Sequence, residues 1–321
     1  MSRIFSARLV LAAAAALLAG HAFAQAPTPP PAAQLEADAP DQSTDEVIVR
    51  GRRMSDVREE LRLYVNKFIV EVSKGPSGRG YARWQGKVCV SVSNLQSEAA
   101  QYLVDHISRV AADVGLEPGE PGCTPQVIVI FTTDGKAMAS SMVENDPKVF
   151  RPFGPRGGVN LNYAALDDFA QSDRAVRWWH VALPVDARTG IKAITTAGDK
   201  SAPVINVAGP SRIHSGIRDD LLYVLIVVDS KKLAGTTWEQ LADYLSVVGL
   251  AQIDPSANVA EFDSILNVFK NPAAYSGLTD WDRSYLKALY SFDQERTPRK
   301  QVNELVGKMT RQELEPIEAS E

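Results

Sequence analysis

The sequence predicts an α+β fold, in which helices pack on a mixed sheet and a helical subdomain follows towards the C-terminus. An alternating apolar run at residues 87–93, a helical pattern at 96–115 and a β-branched run at 125–133 give strand, helix and strand in order. Residues 221–228, "LLYVLIVV", are the most apolar strand-like stretch of the chain. From residue 236 onward, capped helical patterns replace the strands.

The N-terminal residues have the three parts of a secretory signal peptide. Arg3 and Arg8 form a basic start, an apolar run covers residues 9–18, and "AFA" at residues 22–24 is a small-x-small cleavage site. The apolar run is shorter than the roughly 20 residues that cross a bilayer. The sequence therefore predicts cleavage after residue 24, export to the periplasm, and no transmembrane segment in the mature chain.

Charge and cysteine content narrow the possible partners and the compartment. The formal net charge is −5 and becomes about −7 once the two arginines of the signal peptide are removed, which argues against nucleic acid as a partner. Cys89 and Cys123 are the two cysteines, and in an exported chain they favour one disulfide. The alternative is a catalytic thiol, but Cys89 lies in an apolar run, where a thiolate is disfavoured.

Four regions follow from these patterns. After the signal peptide (1–24), residues 25–54 form a predicted disordered tether, rich in Pro, Ala and acidic residues, that ends in the β-prone run "DEVIVRGRR". Residues 55–235 form a predicted sheet-containing α/β domain that opens with a helix capped by Ser55. Residues 236–321 form the helical C-terminal subdomain.

The remaining elements are predicted from local signals. Residues 132–175 show no clear periodicity and contain a loop rich in Pro and Gly. Residues 174–186 and 205–214 resemble strands interrupted by Pro and Gly. In the C-terminal region, Thr236 stands three residues before Glu239 and Thr237 three before Gln240, so either pair has the spacing of a capping box. Thr279 stands three residues before Asp282, at the same spacing. A last helix starts at Thr297-Pro298.

The stretch "LADYLSVVGL" at residues 241–250 has the outline of the zinc-protease helix H-E-x-x-H-x-x-G. Two imidazoles four residues apart can hold one zinc ion, and the intervening Glu takes a proton from the zinc-bound water. Here the ligand positions hold Ala242, Ser246 and Gln252, Asp243 takes the position of the base, and Gly249 that of the turn glycine. These residues predict no metal and no cofactor.

A plain amphipathic core helix explains the same stretch. Its apolar residues recur at helical spacing and need only a core to pack against; they are Trp238, Leu241, Leu245 and Val248. Gly249 would then end the helix. Under both interpretations the segment is structural.

The likeness continues beyond the helix and resembles metzincin-type zinc proteases over about 50 residues. After their glycine turn these proteases carry S-I-M, a proline, L-x-x-x-D and a final L-Y pair. The matching residues here are Ser264, Ile265, Leu266, Pro272, Leu278, Asp282, Leu289 and Tyr290. Leu266 replaces the methionine of the Met-turn. The resemblance implies a degenerate, zincin-like scaffold that lacks its zinc ligands.

Two shorter stretches carry a second resemblance. "ARWQGKVCVSV" and "GCTPQVIVIF" are similar to segments of a family of uncharacterised secreted proteins from Gram-negative bacteria, which also share the two spaced cysteines and a helical end. No activity comes with that resemblance.

The run at residues 45–53 resembles a TonB box, the docking segment of outer-membrane receptors. Val47, Ile48 and Val49 would form an extended strand that adds to the sheet of a periplasmic or envelope partner. Arg50 stands where the receptors usually have threonine, and too few alternating segments follow to build a receptor barrel. The alternative is a plain edge strand or linker.

These observations lead to one working hypothesis and one rival. The hypothesis is an exported, non-catalytic envelope protein with a binding or assembly role on a metal-free zincin-like scaffold. The rival is a periplasmic, peptidase-like hydrolase with an untypical active site that includes Asp243, His180 or His214. His180, beside two tryptophans on a predicted strand, is expected to be buried and hydrogen-bonded, and His214 to lie in a solvated turn.

Overall fold

A computed structural model describes residues 42–73, 79–152, 161–193 and 214–319. The predicted signal peptide, most of the tether and the predicted strand at 205–213 lie outside these residues. The chain divides into two units, Met1–Ile48 and Val49–Glu321. Only a short helical stretch of the first unit is described, and the fold below is that of the second.

The described residues form a four-stranded mixed sheet and a separate two-stranded pair. The strands are β1 (Lys87–Val88), β2 (Val90–Ser93), β3 (Glu117–Pro118), β4 (Val127–Thr132), β5 (Val176–Asp186) and β6 (Ile217–Asp229). The main sheet has the order β2-β4-β6-β5, in which the first three strands are parallel and β5 is antiparallel to β6. β1 and β3 pair in parallel.

Helices pack on both faces of the main sheet, which confirms the predicted α+β fold. The α-helices of the described residues are α1 (Gln42–Val72), α2 (Ser97–Asp113), α3 (Gly135–Asn145), α4 (Pro147–Phe150), α5 (Tyr163–Gln171), α6 (Trp238–Leu250), α7 (Asp280–Ser291) and α8 (Pro298–Glu318). In the part of the chain that is described, no helix is both long and apolar enough to span a bilayer.

Alternation along the strands divides the buried residues into two cores. Trp178 and Ile226 belong to the larger core, which they share with buried residues of α1, α2, α6, α7 and α8. Their neighbours Trp179 and Val227 face the opposite side and pack with residues of α3, α4 and α5. The helices after residue 236 therefore share a core with the sheet.

The two most apolar strands are interior. β4 lies between β2 and β6, and β6 lies between β4 and β5. Strands buried on both faces favour continuous β-branched and apolar runs, which both of these strands have. The predicted disulfide is also confirmed, because Cys89 and Cys123 are bonded with their Cα atoms 6.0 Å apart.

The N-terminal segment differs from the prediction. The backbone of residues 45–53, including Val47, Ile48 and Val49, is helical, and Ser55 lies inside α1 instead of capping it. A strand needs a partner for its hydrogen bonds, whereas a helix closes its own within one segment. The helix that packs on the core through Val65 therefore extends N-terminally through a segment of high β propensity.

Candidate functional site

α6 is fixed at its start by one of the two predicted capping boxes, that of Thr237 and Gln240. The Thr237 hydroxyl accepts a hydrogen bond from the Gln240 backbone N–H at 3.1 Å, and the Gln240 side-chain oxygen accepts one from the Thr237 N–H at 2.8 Å. The Gln240 amide nitrogen also donates to the Pro272 carbonyl at 2.8 Å. This glutamine thus joins the first turn of α6 to the loop before α7.

From its third residue onward α6 is buried on all sides. The predicted apolar stripe covered only one of these buried faces. Every residue from Gln240 to Leu250 is buried. Trp238, predicted to be part of the buried stripe, is 49% exposed. Trp238 is the first residue of α6 and lies at the edge of the core. The prediction that its side chain is buried was therefore wrong.

Asp243, at the position of the zinc-protease base, is held by its neighbours on both carboxylate oxygens. Nε2 of His106 on α2 donates to Oδ1 at 2.6 Å. The backbone N–H of Leu278 donates to Oδ2 at 2.7 Å. The side chains of His106 and Asp243 are only 12% and 6% exposed. The carboxylate therefore links α2, α6 and the segment that leads into α7.

A glycine makes the approach to this carboxylate possible. A Cβ atom at Gly277 would lie 2.6 Å from Oδ2 of Asp243. Any side chain at residue 277 would displace the carboxylate from the Leu278 N–H. No local sequence pattern indicates this requirement, because Asp243 and Gly277 are distant along the chain.

The three residues at the positions of the zinc ligands are packed in the protein interior. Ala242 and Ser246 are fully buried, and Gln252 is buried as well. The Ser246 hydroxyl donates to the carbonyl oxygen of Ala242, four residues earlier, at 2.8 Å. A hydroxyl that bonds back to its own helix satisfies itself locally and leaves no donor directed at a ligand.

Gly249 does not end α6, contrary to the prediction. The helix continues to Leu250, and Gly249 allows it to approach the sheet. A Cβ at this position would lie 3.1 Å from a methyl carbon of Val127 on β4. The Gly249 carbonyl also accepts a hydrogen bond from Nε1 of Trp84 at 2.9 Å. The glycine thus serves helix–sheet packing.

The segment that resembles a Met-turn packs against α6. Ser264 Oγ donates to Oδ1 of Asp282 at 2.6 Å, and the Ile265 N–H donates to Oδ2 at 2.8 Å. The Thr279 hydroxyl donates to the same oxygen at 2.7 Å. Burial raises the pKa of Asp282, although these hydrogen bonds act in the opposite direction. Asp282 therefore organises this turn and caps α7 at once.

The two other candidate histidines lie elsewhere. His180 Nε2 donates to the Val248 carbonyl at 2.8 Å, and burial lowers the pKa of His180 to about 4. His180 is thus a neutral core residue at neutral pH. His214 is exposed and forms a β-bridge with Arg296. In the described residues, neither histidine hydrogen-bonds to Asp243.

His106 is the residue that the sequence did not connect to this site. It lies on α2, separated from Asp243 by 137 positions. Its position beside the buried stripe residues Leu103 and Ile107 predicts partial burial but not its partner. Within the ranges that the structure covers, no set of three His, Cys, Asp or Glu side chains is arranged to hold a metal ion.

Two cavities flank α6. A cavity of about 710 Å³ lies between the first turns of α2 and α6. A second cavity, of about 430 Å³, lies between the start of β5 and the loop after α6, and Trp178, Tyr244 and Leu266 are among its lining residues. Both volumes fall within the range of small-ligand sites.

Comparison of the chain with protein-family models, with curated protein sequences and with solved structures gave no match.

Proposed function

We propose that this protein is an exported, non-catalytic cell-envelope protein with a binding or assembly role, built on a scaffold related to the zincins. The order of motifs from Ala242 to Tyr290 supports the scaffold, as does the packing of the turn that contains Leu266 against α6. The signal-peptide pattern supports export. The Cys89–Cys123 disulfide is compatible with an oxidising compartment.

The observation that carries the non-catalytic role is the state of Asp243. A general base must lie within reach of the proton that it accepts. Here one carboxylate oxygen receives the His106 N–H and the other receives the Leu278 N–H, in a buried environment. The carboxylate is thus used to hold three segments together.

The same pair supports a second candidate, because a histidine paired with an aspartate also occurs in hydrolases. In those enzymes the aspartate orients the imidazole, whose other nitrogen activates a nucleophile. In the described residues, no serine, threonine or cysteine hydrogen-bonds to His106. The hydrolase is therefore the weaker candidate. In such an enzyme, His106 would have to activate a water molecule as the nucleophile.

An activity screen separates the two candidates. The mature protein, with and without added divalent cations, is assayed against a broad panel of peptide and ester substrates, beside the variants Asp243→Asn and His106→Asn. The non-catalytic role predicts that the three proteins have the same background rate. Turnover that saturates with substrate and is lost in Asp243→Asn would establish the hydrolase.

The TonB-box-like segment supplies one route to a partner. We propose that residues 46–53 bind a periplasmic energy transducer as a strand added to its sheet, which requires the N-terminal end of α1 to unwind. Helix ends fray at low free-energy cost, so such a change is accessible. The test is binding of the mature protein and of a variant lacking residues 46–53 to the purified periplasmic part of the transducer. Equal binding by the two proteins would remove this route.

A further inference from the structure

The cavity between α2 and α6, called the α2–α6 groove below, has features that the zincin-like positions do not use. Its lining comes from the first turns of the two helices and from Ser276, and it has a volume of about 710 Å³. The lining residues that matter here are Glu98 and Tyr102 on α2 and Trp238 and Glu239 on α6.

Two aromatic rings in the groove are exposed although they are held in place. Trp238 is 49% exposed and Tyr102 is 41% exposed. The Trp238 ring lies 6.4 Å from the ring of Phe131, and the Tyr102 ring lies 5.9 Å from that of His106, which Asp243 fixes. Ordered, half-exposed aromatic faces lose little conformational entropy when a ligand covers them.

The groove also carries an uncompensated negative charge. Glu98 and Glu239 are exposed, and the charged side chains among its lining residues are these two carboxylates. In the described parts of the chain, neither has a Lys or Arg side chain within ion-pair distance. Acidic residues in the first turn stabilise a helix N-terminus, which explains their presence but not the exposed rings beside them.

We propose that the α2–α6 groove binds an arginine side chain from a basic, extended segment of a partner protein. A guanidinium can stack on an indole or phenol face and can donate two parallel hydrogen bonds to a carboxylate. Trp238 and Tyr102 offer the first kind of contact in the groove lining, and Glu98 and Glu239 offer the second. The acidic lining favours a basic partner over a neutral apolar one. This inference deepens the binding role proposed above and rests on it.

The test uses the full mature protein and a capped decapeptide that contains three arginines spaced by glycine and serine. Trp84, Trp178, Trp179 and Trp281 are buried, so quenching by soluble quenchers reports mainly on Trp238. We expect saturable protection of Trp238 and a matching calorimetric isotherm. Trp238→Ala and the double variant Glu98→Gln/Glu239→Gln should each weaken binding by about three- to tenfold, as expected for the loss of partly exposed cation–π or ionic contacts.

The controls distinguish arginine recognition from general attraction to an acidic protein. Glu144→Gln, which removes an exposed carboxylate on α3, should leave affinity unchanged, and a peptide with citrulline in place of arginine should not bind. The inference is overturned if no saturable binding occurs, if Glu144→Gln weakens binding as much as the groove variants do, or if spermidine competes as well as the peptide. Failure here leaves the activity screen unaffected, so the two proposals fail separately.

Discussion

Asp243 stands at the position of the base in the zinc-protease pattern that α6 resembles, and its observed contacts are structural. In the zinc-protease pattern, the acid after the first histidine acts on metal-bound water. In this chain Ala242 precedes it, and its carboxylate bonds to His106 and to the Leu278 N–H. The residue is thus part of the packing between α2, α6 and the start of α7.

This role predicts strong coupling between the two side chains. Removing one member of a buried hydrogen-bonded pair leaves the other unsatisfied, which costs about 1–3 kcal/mol and more for a charged group. We expect His106→Ala and Asp243→Ala each to lower the free energy of unfolding by an amount in this range. The double variant should be much less destabilised than the sum of the two. Denaturant unfolding gives the free energy of unfolding of the wild type, the two single variants and the double variant. A loss in the double variant equal to the sum of the two single losses would refute the coupling.

Two buried titratable groups give stability a pH dependence with opposing signs. Burial lowers the pKa of His180 to about 4, so its contribution is present above its ordinary pKa of 6.5 and is lost as the pH falls towards 4. Burial raises the pKa of Asp219 to about 6, against the effect of Arg79, so its contribution is present below 3.8 and is lost as the pH rises through about 6. The two trends oppose each other between pH 4 and pH 6.

The variant Asp219→Asn removes one of these trends. Relative to the wild-type protein, it should lose more stability as the pH falls from 6 to 4, by about 3 kcal/mol for a pKa difference of about two units. Urea unfolding at several pH values measures this difference. Parallel curves for the two proteins would show that Asp219 titrates normally in the folded state.

At the scale of secondary structure, elements with strong local signals were predictable and the others were not. The capping residues Thr237 and Thr279 start α6 and α7 as expected. Residues 132–175, which show no clear periodicity, contain the three helices α3, α4 and α5. α3 and α5 are capped by Asp134 and Asn162, but their short apolar faces become recognisable only against β5 and β6. The local β propensity of residues 45–53 favoured a strand, yet their backbone is helical because it continues the helix α1. That continuation could not be predicted from the segment itself.

The cap of α6 allows a matched comparison between neighbouring threonines. Thr237 accepts the Gln240 N–H, whereas the buried hydroxyl of Thr236 has no hydrogen-bond partner in the described residues. Thr237→Ala should lower the free energy of unfolding by about 1 kcal/mol, and Thr236→Ala should lower it by less or raise it. Thermal and denaturant unfolding of both variants test this. Equal losses would show that the capping box adds nothing to stability.

For the whole molecule, the fold class and the disulfide could be predicted, while the site could not. Strand–helix–strand order and two β-branched runs suffice for a sheet with packed helices. The contact between His106 and Asp243 depends on how α2 and α6 cross, which no local pattern contains. The same holds for Gly277, whose importance follows from the nearby Asp243 carboxylate.

The disulfide links the segment between β1 and β2 to the loop before β4. It closes a sequence separation of 34 residues, for which the chain-entropy model gives roughly 3–4 kcal/mol. The double variant Cys89→Ala/Cys123→Ala should lose stability by that amount, and the reductant dithiothreitol should destabilise the wild-type protein but not the variant. A wild-type protein that is indifferent to reduction would contradict this.

α6 resembles a zinc-binding helix in outline, and we propose that it serves only as part of the core. The most direct measurement is zinc bound per chain by the purified mature protein, after incubation with excess zinc and dialysis, with Asp243→Asn measured in parallel. The account predicts far less than one zinc per chain, and the same amount in both proteins. One zinc per wild-type chain that is lost in Asp243→Asn would contradict it.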